Sequence, residues 1–135
     1  MLPTMNPSKL IQTYIDGFNS DDLDAMLSVL SDGLIHETNE GETRVGIEQF
    51  RQFKQYMAEH YDERLQDVVI MESGSRGGCE FVVNGVYKKT DGDLPAANGQ
   101  PYAIRAAFFV DTDGGKITRI TSYYNLKKWV EAVSA

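Results

Sequence analysis

One side chain considered as a nucleophile is a cysteine thiol. Cys79 is the only cysteine, so no disulfide can form within the chain. A reactive thiol needs a nearby base, and neither His36 nor His60, the only histidines, can be placed beside it from the sequence. The apolar surroundings of Cys79 favour a small core residue, and a reducing cytoplasm is the expected location.

The histidines, carboxylates and glycines lack the spacing of a metal or phosphate site. His36 precedes Glu37 in an extended segment, so the two side chains are expected on opposite sides of a sheet. His60 lies near the end of a helix, where the negative helix terminus favours it. The glycine clusters at 74–78 and 113–115 lack the phosphate-loop signature and predict turns. We therefore expect no metal and no organic cofactor.

Three segments in the first half have helical periodicity. The first helix begins at Pro7 with Asn6 as its cap, the second begins near Leu23 and ends near Gly33, and the third follows Gly46. The residues at helical spacing are Leu10, Ile11, Tyr14, Ile15, Phe18, Leu23, Met26, Leu27, Leu30, Ile47, Phe50, Phe53, Lys54 and Met57.

Beyond Asp62 the pattern changes from helical to extended. The expected strands are a short one at 34–38 and a meander at 68–71, 79–87, 102–110 and 116–124, and a short helix at 126–133 ends the chain. Helices first and antiparallel strands afterwards predict an α+β fold, in one domain spanning residues 1–135.

The bulk composition narrows the classes of partner. The 135 residues carry a formal net charge of -7 and include no basic patch, so nucleic acid is not an expected partner. The longest apolar stretches cover only a few residues, and the start lacks the pattern of a secretory signal, so we expect neither membrane insertion nor export.

Four collinear segments resemble a known superfamily. Residues 14–24 (YIDGFNSDDLD), 34–41 (LIHETNEG) and 115–118 (GKIT) resemble the ketosteroid isomerase-like branch of the SnoaL-like superfamily, which shares the nuclear transport factor 2-like fold. Residues 122–129 (SYYNLKKW) resemble the end of limonene-epoxide hydrolases, which also have this fold. The resemblance implies a cone-shaped fold, in which three helices pack on a curved antiparallel sheet and enclose a ligand pocket.

The resemblance also implies roles for individual residues. Glu37 matches the carboxylate that moves a proton α to the substrate carbonyl, and Tyr14 matches the phenol that stabilises the resulting oxyanion. Tyr14 is equally compatible with a core aromatic role. Ala107 replaces the acid that completes the oxyanion hole, and Arg105, on the same face, is expected either to serve the ligand or to pair with Glu37.

Two other functions stay open at this point. In the epoxide hydrolases an Asp-Arg-Asp constellation activates water, and its positions match Ala107, Arg105 and Ser122, so both carboxylates are absent. A binding module without catalysis is the other alternative, because one fold serves many functions.

The expected ligand is a small hydrophobic molecule with one polar end, and the expected assembly is a homodimer. The predicted substrate-binding residues are Ile11, Phe18, Ile35, Met57, Phe81, Val83, Ala107, Phe109, Ile120, Ser122 and Tyr124. The dimer is expected to form through the outward sheet face, with apolar residues such as Val82, Val86, Phe108 and Val110.

Overall fold

The computed structural model describes residues 5–134. The elements in chain order are α1 (Pro7–Asn19), α2 (Leu23–Leu27), β1 (Leu30–Thr38), β2 (Thr43–Val45), α3 (Ile47–His60), β3 (Tyr61–Ser73), β4 (Arg76–Tyr87), β5 (Pro101–Asp113), β6 (Lys116–Tyr123) and α4 (Leu126–Ser134). This is the α+β arrangement that the sequence predicts; residues 5–134 contain the four expected helices and six strands, of which β2 was not predicted.

Capping residues set where the helices begin. The Asn6 side chain accepts a hydrogen bond from the Lys9 backbone N–H, and Pro7 occupies the first turn of α1. Gly46 precedes α3 with a φ of 96°, a left-handed conformation that favours glycine. The second helix is shorter than expected, because β1 already begins at Leu30.

One mixed sheet contains all six strands in the order β2-β1-β6-β5-β4-β3. Strands β3 to β6 form the predicted antiparallel meander, whereas β1 runs parallel to β6. The expectation of a purely antiparallel sheet was therefore wrong. The β5–β6 hairpin fixes the direction of β6, and β1, which arrives from the helical hairpin, joins its free edge in the same direction.

The helices α1 and α3 pack against the inner face of the sheet. In β1 and β5, the side chains on this face are not the predicted ones but their neighbours in the sequence. His36 is buried against the ring of Phe50, whereas Glu37 points to the opposite, outer face. In β5, Phe108 is 4% exposed and Phe109 is 44% exposed. The expectation that Phe109 lines the pocket and that Phe108 and Val110 face outward was therefore wrong, since a shift of one residue inverts every side chain of a strand.

The C-terminal helix covers one end of the sheet with an aromatic cluster. Trp129 of α4 packs edge-on against the rings of Tyr87 and Tyr102, at centroid distances of 4.9 and 5.9 Å. Val133 completes this cluster on the next turn of the helix. Of the helices in residues 5–134, none is both long enough and apolar enough to cross a membrane.

Candidate functional site

A cleft of about 470 Å³ opens between the α1–α2 hairpin, α3 and the first residues of β3. Its wall combines apolar side chains from the three helices with six charged side chains. The lining residues are Phe18, Asp21, Leu23, Met26, Lys54, Gln55, Met57, Ala58, Tyr61, Asp62, Glu63, Arg64 and Lys88. This mixture suits an apolar ligand that carries a polar group.

Lys54 and Glu63 are two partly buried charges of this cleft, and burial shifts the pKa of both. The Lys54 ammonium lies 4.0 Å from the centroid of the Phe18 ring. Burial lowers the pKa of Lys54 to about 8, although the negative charges of Glu63 and Asp21 oppose the shift. Burial also raises the pKa of Glu63 above its ordinary value, despite Lys54 and a hydrogen bond from Tyr102. Both groups therefore titrate nearer to neutral pH than exposed ones.

Tyr102 reaches Glu63 by passing over Gly85. The three residues lie across β3, β4 and β5, where Gly85 pairs with Glu63 on one side and with Tyr102 on the other. The Tyr102 hydroxyl donates to Glu63 Oε2 over 2.6 Å. A Cβ atom on Gly85 would lie 2.4 Å from Tyr102 Cζ, so only glycine leaves room for the ring at this crossing. The glycine thus allows a hydrogen bond that fixes the carboxyl group.

Tyr14 and Cys79 lie in the core on the inner face of the sheet. The Tyr14 ring packs against Phe108 and Phe50, at centroid distances of 5.4 and 6.4 Å. Burial raises the pKa of the Tyr14 phenol, so it stays protonated and able to donate. Cys79 is buried, and burial raises the pKa of its thiol to about 12, as an unreactive core residue requires.

The structure separates the three residues that the resemblance brought together. Glu37 accepts a hydrogen bond of 2.7 Å from Thr121 Oγ1 on the outer face, and its side chain is 38% exposed. Arg105 is exposed on the same face and pairs with Glu80 at 3.0 Å. The nearest cation to Glu37 is instead Arg119, at 3.7 Å. Neither Glu37 nor Arg105 therefore shares the interior with Tyr14.

The predicted substrate-binding residues divide among several surroundings. Ile11, Phe81 and Ile120 are buried, Phe18, Met57, Val83 and Ser122 are partly buried, and Ile35 and Phe109 are exposed. Ala107 and Tyr124 line a separate open groove of about 1030 Å³ beside α4, together with Arg105. Only Phe18 and Met57 of the predicted set line the cleft.

The sequence reasoning missed Lys54, Glu63 and Tyr102 as a group. A charged residue at helical spacing with the apolar stripe of α3 was the one available signal, because Lys54 takes a position that packs against Phe18. Glu63 gave no signal, since β3 was expected to begin only at residue 68. No group of three His, Cys, Asp or Glu side chains within residues 5–134 is placed to hold a metal ion.

The comparisons with known proteins agree with one another. The SnoaL-like domain model matches residues 11–120. A candidate polyketide cyclase from Pseudomonas putida KT2440 has 44% sequence identity and a TM-score of 0.93, with 96% of this chain and 98% of that chain covered. Another candidate polyketide cyclase, from Silicibacter sp. TM1040, has 42% identity and a TM-score of 0.93, with both chains covered over 100%.

A more distant solved structure shares the fold alone. TerC, co-crystallised with polyporic acid, has 14% identity and a TM-score of 0.73, with 94% of this chain and 97% of that chain covered. No curated protein matches the sequence at a significant level. The family match covers most of the chain, and the first two structures align over nearly all of it at more than 40% identity. The chain belongs to the SnoaL-like domain family.

Proposed function

We propose that this protein is a small-molecule enzyme that transfers a proton at a carbon atom next to a carbonyl group, within the cleft lined by Lys54 and Glu63. The observation that carries the proposal is a carboxyl group with a raised pKa, held by Tyr102 beside an ammonium group in a cleft with both apolar and charged walls. Such an environment brings the basicity of a carboxylate into the range that proton transfer needs.

The reaction divides between a base and a group that stabilises negative charge. Glu63 takes the proton, so the C–H bond breaks, an O–H bond forms on the carboxyl group and the electron pair moves to the carbonyl oxygen. The Lys54 ammonium stabilises the enolate that results. Tyr14 packs against Phe108 and Phe50 and does not line the cleft, so we assign it no contact with the substrate there.

The relatives support this reaction class and the kind of ligand. Two of them are named as candidate polyketide cyclases, and an aldol ring closure begins with removal of a proton next to a carbonyl group. The distant neighbour that was crystallised with polyporic acid supports a planar, oxygen-bearing ring as ligand. Because Glu37 lies on the outer face with Thr121 and Arg119, we assign the role of the base to Glu63.

A matched pair of variants tests the assignment. The assay follows hydrogen–deuterium exchange next to the carbonyl group of 2-tetralone in D₂O by NMR, with wild-type protein, Glu63→Gln and Glu37→Gln. Loss of a general base lowers rates by roughly a hundredfold or more, so Glu63→Gln should lose most of the acceleration and Glu37→Gln should keep it. Equal rates in wild type and Glu63→Gln would end the assignment. Ligand binding without accelerated exchange in the wild type would favour a binding module.

We also propose a cytoplasmic homodimer that forms through the outer sheet face. Phe109 and Tyr123 are exposed there and contact each other edge-on at 5.7 Å. Phe109 lies across Gly78, where a Cβ atom would come within 2.5 Å of its ring, and Ile35 is also exposed on this face. Light scattering should give twice the 15.1 kDa chain mass, and Phe109→Lys should shift it to the monomer. A monomeric wild type at high micromolar concentration contradicts the dimer.

A further inference from the structure

His36 and Arg44 are neighbours on the inner face, at the edge of the sheet farthest from β3. The two residues pair directly across β1 and β2. The His36 ring contacts Phe50 and Phe53, at centroid distances of 5.2 and 5.0 Å. The Arg44 guanidinium carbon lies 3.8 Å from the centroid of the same Phe53 ring. One aromatic ring therefore supports both side chains and holds them side by side.

Each of these side chains keeps one buried nitrogen atom without a protein partner. Arg44 Nη2 donates to Glu42 Oε2 at 2.6 Å, whereas Nη1 is buried and has no hydrogen-bond partner within residues 5–134. The Nδ1 atom of His36, a residue only 4% exposed, is likewise buried and has no hydrogen-bond partner within those residues. Buried polar atoms are nearly always hydrogen-bonded, so two exceptions on residues that pair across adjacent strands point to an acceptor that the described residues do not supply.

The local charge favours an acceptor that is negative. The positive charges of Arg44 and Lys54 add to the effect of burial and lower the pKa of His36 to about 4, so the imidazole is neutral at pH 7. A neutral imidazole protonated on Nδ1 donates from that atom, and Arg44 Nη1 donates beside it. Hydrogen bonds from arginine to an anionic oxygen are stronger than bonds between neutral groups.

We propose that His36 and Arg44 form a subsite for one negatively charged oxygen atom, of a carboxylate or an enolate, on a planar aromatic ring. The rings of Phe50 and Phe53 supply the apolar wall for such a ligand. Neither His36 nor Arg44 lines the Lys54–Glu63 cleft, and the existence of this subsite does not depend on the reaction proposed for that cleft.

Paired probes test the subsite by calorimetry. The probes are 2-naphthoate and its neutral analogue 2-naphthamide, and the variants are Arg44→Met and Arg51→Met. Arg51 pairs with Glu48 on α3, so its replacement makes the same change in net charge elsewhere. Wild type should bind naphthoate more tightly than naphthamide, and Arg44→Met should lose about tenfold or more in naphthoate affinity alone, the size of a lost charge-assisted bond. Arg51→Met should bind both probes as the wild type does.

Two further measurements keep the test decisive. If Arg44→Met does not fold, Arg44→Lys is the alternative variant. It keeps the positive charge but lacks the forked guanidinium group, so it should still weaken naphthoate binding. The Nδ1 resonance of His36 should shift with naphthoate and not with naphthamide. Equal affinities of the two probes for wild type, no naphthoate binding at millimolar concentration, or an equal loss in Arg51→Met overturns the subsite. Glu63→Gln should leave naphthoate affinity unchanged, which separates this test from that of the proposed reaction.

Discussion

The crossing of Tyr102 over Gly85 leads to the sharpest prediction about stability. In Gly85→Ala the new methyl group would lie 2.4 Å from Tyr102 Cζ and 2.5 Å from its hydroxyl oxygen, well inside van der Waals contact. The ring must swing away, and the hydrogen bond to Glu63 Oε2 is then lost. The φ of Gly85 is not positive, so the substitution adds no backbone strain of its own.

Two opposing contributions set the size of this effect. Hydrogen bonds to charged groups contribute about 1.5 to 3 kcal/mol to stability. Replacing glycine by alanine at a compatible position stabilises by about 0.4 to 1 kcal/mol, because the unfolded chain loses freedom. The free energy of unfolding should therefore fall by about 0.5 to 2.6 kcal/mol in Gly85→Ala.

Chemical denaturation of the wild type and four variants measures this effect. Gly33→Ala is the matched control, since a Cβ atom there meets nothing within 4 Å, and it should be neutral or slightly stabilising. Tyr102→Phe removes the same hydrogen bond, so combining it with Gly85→Ala should cost less than the sum of the single changes. If Gly85→Ala proves as stable as Gly33→Ala, or its effect is additive with Tyr102→Phe, the reasoning about this crossing is refuted.

Three further predictions concern ionisation. Exchange of 2-tetralone should fall as the pH drops through the raised pKa of Glu63, which must be deprotonated, and again above about pH 8 as Lys54 loses its proton. In denaturation experiments Lys54→Met should raise the free energy of unfolding at pH 7 by about 1 to 3 kcal/mol, because the wild type must keep a buried charge. This gain should shrink from pH 8 to pH 10.5, because in this range the folded wild type has lost the Lys54 proton and the unfolded wild type still binds it. Wild-type stability should decline from pH 6.5 to pH 4, where the unfolded state protonates His36 first, and His36→Gln should remove about 3 kcal/mol of that decline. A Lys54→Met variant less stable than wild type, or a decline unchanged in His36→Gln, contradicts these assignments.

The sequence predicts the fold where local chemistry decides it. The Asn6 cap with Pro7 marks the start of α1, and the run of β-branched and aromatic segments predicts the meander. The inner and outer faces of β1 and β5 were beyond its reach, because both strands carry apolar residues on each side. Residues 106–110 are Ala-Ala-Phe-Phe-Val, so the sequence pattern does not tell which of them face inward; the packing of the helices decides this.

The same limit applies to the candidate site. Lys54 gave a weak signal within its helical stripe, but the pairing of Glu63 with Tyr102 spans 39 residues and crosses a third strand. Such a contact depends on strand register and on the absence of a side chain at Gly85. Neither quantity can be obtained from composition or periodicity, which describe one element at a time.

The parallel pairing of β1 with β6 has a consequence for folding during synthesis. Glu37 and Thr121, which are hydrogen-bonded across these strands, stand 84 residues apart in the chain. The strands β3 to β6 can assemble through successive hairpins, whereas β1 leaves the ribosome early and waits for its partner until the last strand has been made. Contacts between distant residues slow folding, and an unpaired strand edge can pair with other chains in the meantime. The nascent chain therefore passes through a period in which β1 exposes the edge that will pair with β6 and its later-buried apolar residues are still uncovered.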